Sequence, residues 1–121
     1  MNRMTLSQAS ADIVVLRSRG LILRVNTDNI SWVQAARNTV KVHLNGEAIS
    51  LKSTLYQIEQ QLNDGNFVRI HRGTIINVNR IRELRHWLRG TFKVFLQDGT
   101  QLLLSKSYRR NFFNFLRLPV D

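Results

Sequence analysis

The run Thr39-Val40-Lys41-Val42-His43-Leu44, followed at once by Asn45-Gly46, constrains the fold more than any other stretch. Val40, Val42 and Leu44 alternate with Thr39, Lys41 and His43, the two-residue period of a strand with one apolar face. Asn-Gly tolerates positive φ at both centres of a tight turn, so the chain doubles back into Ala48-Ile49-Ser50-Leu51 as an antiparallel hairpin. The same punctuation recurs. Residues 13–16 turn at Ser18-Arg19-Gly20 into a strand over 21–25, and the turn formers Asn26-Thr27-Asp28-Asn29 precede a strand over 30–35. Two further strands, 81–88 and 91–96, join at Arg89-Gly90, and Asp98-Gly99 turns the chain into 101–104.

Helical spacing is confined to two places. Ser53 or Thr54 can cap a helix with Leu55, Ile58 and Leu62 on one face, ended by Asn63-Asp64-Gly65-Asn66 with Gly65 in the left-handed cap. Ser105 reads as the N-cap of a closing helix in which Tyr108, Phe112, Phe115 and Leu116 recur, with Pro119 beyond it. Residues 67–78 mix apolar and basic side chains without a clear period and read as strand or irregular. Seven or eight short strands and two small helices predict a mainly β fold, and 121 residues without a linker or repeat predict a single domain. Residues 1–12 read as an N-terminal extension and 13–121 as the domain.

The charge narrows the function. Eighteen Lys and Arg against eight Asp and Glu give a net charge of +10. Residues 1–68 carry seven basic and five acidic side chains, whereas 69–121 carry eleven and three. Most of the basic residues are Arg, whose planar fork suits phosphates and guanine edges. A basic excess gathered in one half of a chain points to a polyanion, which in a cytoplasm is mostly nucleic acid. The plainer reading is a charged, soluble surface without a partner.

Other classes find little support. There is no cysteine, so disulfides, thiolate metal sites and a cysteine nucleophile are excluded. His43, His71 and His86 lack metal-ligand spacing, the carboxylates are scattered singly, and no nucleophile elbow or phosphate-binding glycine loop occurs. The expectation is a protein that is not an enzyme and has no cofactor and no metal. No apolar run approaches the roughly 18 residues of a membrane helix, and residues 1–12 lack a signal-peptide core. A cytoplasmic location follows.

Three clusters can meet an anion. Arg69-Ile70-His71-Arg72-Gly73-Thr74 places Arg69 and His71 outward if Ile70 is core, with Arg72 at a turn; alternatively His71 is an ordinary surface or capping histidine. Lys106, Arg109 and Arg110, beside Ser105 and Ser107, stand at a helix start, where the dipole disfavours cations and an anionic partner would accommodate them; they also read as a solvated helix face. Arg37 and Asn38 lie in a strand-to-strand loop, where Arg can read guanine and Asn adenine, although Asn commonly serves the turn itself.

Taken in order, these marks resemble the LytTR DNA-binding domain of bacterial transcription regulators, many of them response regulators of two-component systems. The resemblance runs over about residues 20–117. It rests on the 30–42 stretch, the helix after Ser50-Leu51, Phe67-Val68-Arg69-Ile70-His71-Arg72 leading to Ile76-Asn77, the strand from Ile81, Gln97-Asp98-Gly99, and Leu104-Ser105-Lys106-Ser107-Tyr108. It implies an elongated domain of about ten short antiparallel strands with small helices. It also implies double-stranded DNA as partner, loops inserted in the major groove, a bent duplex, and two copies on direct-repeat half-sites. Asn38, Arg72 and Lys106 fall at the family's contact positions, with Arg37, His71, Ser107 and Arg109 beside them. Asn38 and Arg72 are then expected to read bases, and Lys106, Arg109 and the arginines of 80–89 to hold phosphates. Gly73, Lys106 and Thr39 depart from the Ser, Arg and aromatic residue common in the family. Lys lacks the fork of Arg, which suits Lys106 to phosphate. A receiver or sensor domain, which this chain does not contain, is a further implied partner. A polyanion- or RNA-binding module without sequence preference is the alternative, and two or more exposed phenylalanines beside Arg72 would favour it.

Overall fold

The computed structural model describes residues 13–62 and 65–119. Their strands are β1 (Ile13–Ser18), β2 (Leu21–Asn26), β3 (Ile30–Ala36), β4 (Thr39–Leu44), β5 (Glu47–Leu51), β6 (Phe67–His71), β7 (Thr74–Asn77), β8 (Ile81–His86), β9 (Phe92–Leu96) and β10 (Gln101–Leu104). Helix α1 (Leu55–Gln61) separates β5 from β6, and α2 (Arg109–Leu116) closes the chain. The expected extension over 1–12 and the turn residues Asn63 and Asp64 lie outside the described residues.

The expected hairpins form. Leu44 faces Glu47 across Asn45-Gly46, with Gly46 alone of the pair at positive φ (+81°). Thr54, not Ser53, caps α1: its hydroxyl accepts from the Gln57 amide at 3.1 Å while Gln57 Oε1 accepts from the Thr54 amide at 3.2 Å. Leu55, Ile58 and Leu62 are buried as the spacing requires.

Three antiparallel sheets result: β1-β2, β10-β9-β8, and a five-stranded sheet in the order β5-β4-β3-β7-β6. The five-stranded sheet is covered on both sides. Val33, Val40, Val42 and Ile75 point into a core shared with Leu16 of β1 and with Leu55, Ile58 and Leu62 around α1. Val68, Ile70 and Ile76 point the other way, into a core with Phe92, Val94, Leu96, Leu104, Phe112 and Phe113. Adjacent residues Ile75 and Ile76 thus belong to different cores, because successive side chains in a strand face opposite sides.

Two expectations change. Residues 67–78 are a hairpin, β6 and β7, which brings the strands to ten among the described residues. β7 is buried on both faces, so the apolar alternation that would have marked it is erased, whereas in the edge strand β6 buried Val68 and Ile70 alternate with half-buried Phe67, Arg69 and His71. The closing helix starts later and turns differently than expected. Ser105 precedes a 3-10 turn, Lys106–Tyr108, and makes no side-chain cap bond; its amide instead donates to the Ile70 carbonyl at 2.9 Å. Helix α2 begins at Arg109 and buries Phe112 and Phe113, whereas Phe115 is exposed.

Asn77 joins β7 to the start of β3. Its Nδ2 donates to the Ile30 carbonyl at 2.9 Å and its Oδ1 accepts from the Asn79 amide at 2.9 Å, both in a side chain that is buried. Asn77→Ala leaves those backbone groups unpaired and is expected to cost about 2–3 kcal/mol. Urea denaturation of the two proteins checks it.

Candidate nucleic-acid interface

Four turns gather at one end of the strands. The β3–β4 turn carries Arg37 and Asn38, the β6–β7 turn Arg72 and Gly73, the β8–β9 connection Arg89 and Gly90, and the segment after β10 carries Lys106, Ser107 and Arg109. Hydrogen bonds tie them in series. The Ala35 amide donates to the Gly73 carbonyl at 2.9 Å, the Ser105 amide to Ile70 at 2.9 Å, and Arg109 Nη1 to the Gly90 carbonyl at 3.2 Å.

Asn38 takes the left-handed conformation, φ +59°. Asn adopts it at lower cost than most residues and, unlike Gly, still presents an amide. Its backbone alone makes the turn; its side chain is left without a partner among the described residues. The same holds for the exposed side chains of Arg37, Arg72, Lys106 and Ser107. His71 and Arg109, by contrast, are half-buried and already engaged. His71 Nδ1 accepts from the Gly73 amide at 3.1 Å, which makes the imidazole part of the turn that presents Arg72.

Arg69 was not anticipated in this role. Its Nε donates to the His71 carbonyl at 3.3 Å and its Nη2 to the Arg72 carbonyl at 2.6 Å, while Nη1 pairs with Glu59 Oε1 of α1 at 2.9 Å. One guanidinium therefore holds the bulged end of β6, where the register shifts between Arg69 and His71. A bulge re-aims the chain, and here it is pinned. Nothing in the spacing pairs Glu59 with Arg69, because the contact spans a helix and a strand.

Charge divides along the strands. Of the five described carboxylates, Glu59 is paired with Arg69, and Glu83 with Arg82 at 3.0 Å and Arg85 at 2.5 Å. Asp28, Glu47 and Asp98 stand at the opposite ends of β3, β4 and β9 from the basic turns. Arg80 is also at that far end, where its guanidinium donates to the Asp28 carbonyl, and Arg82 and Arg85 are paired with Glu83 along β8, so of the arginines of 80–89 expected to hold phosphates Arg89 alone stands at the turns. An open cleft there, of about 390 Å³, is lined by Trp32, His43, Glu47 and Asp98 among others. Trp32 and His43 stack with centroids 3.9 Å apart, and burial holds the His43 pKa below its ordinary value, helped by Lys41 and opposed by Asp98. No group of three or more His, Cys, Asp or Glu able to hold a metal occurs among the described residues. No helix among them is long and apolar enough to cross a membrane.

A family model described as "LytTr DNA-binding domain" matches residues 20–117. The chain belongs to that family. Its similarity extends to a solved structure, the LytTr DNA-binding domain of a methyl-accepting/DNA response regulator from Bacillus cereus, with a TM-score of 0.75, 25% identity, and coverage of 87% of this chain and 96% of that one. Sensory transduction protein LytT of Bacillus subtilis (strain 168) is 27% identical over 97 residues, 80% of this chain and 40% of that protein. Transcriptional regulatory protein LytR of Staphylococcus aureus (strain MW2) is 29% identical over 84 residues, 69% of this chain and 34% of that protein. The chain thus spans about two-fifths or less of the curated relatives' length. The mainly β LytTr fold, expected from the resemblance, is what the structure contains.

Two outcomes are expected. Arg69→Ala should cost about 1–2 kcal/mol and speed amide exchange at Arg72 and Gly73, and Arg69→Lys should keep the charge but restore little of that protection. Hydrogen exchange read by NMR checks both. For His43 the folded state resists protonation, so the unfolded state binds more protons and stability rises with pH. That contribution is present above the ordinary pKa of 6.5 and is lost as pH falls through the lower folded value. His43→Gln should flatten this decline below pH 6.5 in denaturation curves.

Proposed function

We propose that this LytTr domain binds double-stranded DNA sequence-specifically, in transcription regulation, through the turns gathered at one end of its strands. The observation that carries the reading is the set of side chains there. Arg37, Asn38, Arg72, Lys106 and Ser107 are exposed and unpartnered among the described residues, while the described carboxylates are either paired or at the far end. Unpaired cations on an ordered surface favour phosphate.

Base reading falls to Asn38 and Arg72 in the major groove, since Asn can bond adenine and Arg guanine bidentately. His71 and Arg109 act from behind, His71 by holding the turn of Arg72 and Arg109 by holding that of Gly90. Lys106, as a point charge, holds phosphate, and Ser107 is a neighbouring donor. Turns engaging one face of a duplex favour bending toward the protein, and two copies on direct-repeat half-sites would extend the contact. Residues 13–121 are the DNA-binding unit, working in the cytoplasm without cofactor or catalysis, with a receiver or sensor domain as the partner that would supply the signal.

The alternative, a polyanion or RNA module without sequence preference, needs stacking platforms beside Arg72. Phe92, Phe112 and Phe113 are buried and Phe115 alone of the four is exposed, which favours the duplex reading.

Selection from random duplexes, followed by fluorescence anisotropy at about 150 mM salt with excess competitor, tests it. Two similar half-sites about one helical turn apart are expected. Arg72→Ala should then cost about 1–3 kcal/mol and blunt discrimination at one base pair. Lys106→Ala should weaken all duplexes nearly alike and lower the salt slope by about one. Uniform loss from both variants would overturn the division of labour; failure of any motif to emerge would overturn sequence reading itself.

A further inference from the structure

The β8–β9 tip combines features that the four-turn arrangement alone does not require. Arg89 (φ +52°) and Gly90 (φ +81°) are its two central residues, both left-handed, and the Thr91 amide donates to the Leu88 carbonyl at 3.0 Å. Gly or Asn is favoured at the first of these positions, and an arginine there carries a conformational cost of about 1 kcal/mol or more. Its exposed side chain has no partner among the described residues. Before it stand Trp87 and Leu88, 47% and 64% exposed. These apolar groups are not on a loose loop. The Trp87 amide donates to the Thr91 carbonyl at 2.9 Å, Thr91 Oγ1 donates to the Leu88 carbonyl at 2.6 Å, and Lys93 Nζ lies 3.9 Å from the Trp87 ring centroid.

The tip is also fixed to its neighbours. A Cβ on Gly90 would lie 2.9 Å from Arg109 Nη1 and 3.8 Å from Lys106 Cδ, so the turn is seated against the cluster of Lys106 and Arg109. The hydrogen bonds in series give the order Asn38 turn, Arg72 turn, Lys106 and Arg109, then Arg89.

We infer that Leu88 and Arg89 enter the minor groove of the DNA flanking the site that Asn38 and Arg72 read. The inference rests on the proposed function. If Lys106 and Arg109 hold a phosphate strand beside a major groove, what lies past that strand is a minor groove. That groove is about 6 Å wide, its negative potential rises where A·T pairs narrow it, and arginine is the side chain that exploits it. An apolar side chain beside such an arginine packs on sugars or wedges into a base step and bends the duplex. Charge favours DNA over a protein partner here: the tip carries Lys93 against Trp87 and is seated against Lys106 and Arg109, and the carboxylate of Glu83 on β8 is already paired with two arginines.

The test uses the selected duplex with its flank as A·T, G·C or I·C pairs. Inosine keeps the major-groove face of guanine but removes its minor-groove amino group. The chain should bind A·T and I·C flanks about tenfold more tightly than G·C flanks. Arg89→Asn keeps the turn conformation, so its melting temperature should hold or rise while the flank preference disappears and the salt slope falls by about one. Leu88→Ser should reduce the bend measured by end-to-end energy transfer. If both variants match the parent in preference, slope and bend, the tip is not a DNA contact and its apolar face belongs to a protein surface. If the unmodified chain holds no duplex against competitor, the proposed function fails as well. A preference that distinguishes I·C from A·T but not from G·C would place the contact in the major groove and overturn the assignment.

Discussion

The pairing of β3 with β7 at the middle of the five-stranded sheet is the constraint on which the rest depends. These two strands have neighbours on both edges and protein on both faces, and Val33, Ile75 and Ile76 are fully buried as a result. Shifting their register by one residue would exchange the two cores, placing Ile75 where Phe112 packs and Ile76 against α1. The register is therefore strongly specified. Because the turns at Asn38 and Arg72 are extensions of these strands and their immediate partners, fixing the register also fixes the spacing of those turns.

Rigidity at the turns has a second source, in polar groups that saturate one another behind the exposed ones. Arg69, His71 and Arg109 are basic residues of the same clusters as Arg72 and Lys106, yet their hydrogen-bonding groups point inward to Arg72, Gly73 and Gly90. Their work is to hold backbone. This division lowers the ordering cost of binding, since a side chain on a pinned turn has only its own rotamers left to lose.

Much of the fold was legible where a strand is wetted on one face. Thr39-Val40-Lys41-Val42-His43-Leu44 alternates cleanly, and Asn45-Gly46 announces its turn. The β6–β7 hairpin was less legible for the complementary reason: in β7 Ile75 faces one core and its neighbour Ile76 the other, so no period survives there, and in β6 the alternating partners of Val68 and Ile70 are half-buried. In α2 the spacing of Phe112 and Phe115 suggested a stripe that the 3-10 turn before it rotates, and Phe113 takes the buried place. At the candidate site, charge and residue type singled out three clusters that the fold gathers at one end of its strands, but could not sort exposed groups from structural ones. That sorting depends on contacts such as Glu59 to Arg69, which span separate elements. Arg80 illustrates the same limit, since it shares the basic run with Arg89 but lies at the other end of β8.

The separation of charge along the strands has its own consequence for association. β4 has six residues, so at about 3.4 Å per residue its ends are about 20 Å apart, more than twice the screening length of about 8 Å at physiological ionic strength. Asp28, Glu47 and Asp98 at one end therefore barely weaken the field at the Asn38, Arg72, Arg89 and Lys106 end. Each end meets a polyanion on its own terms: the basic turns are drawn in and the acidic end is turned away. Such a field favours encounters with a polyanion in which the turns lead, which raises the fraction of collisions that can proceed to contact. The acids that would be a liability within the basic cluster become an orienting device once they are a strand's length away.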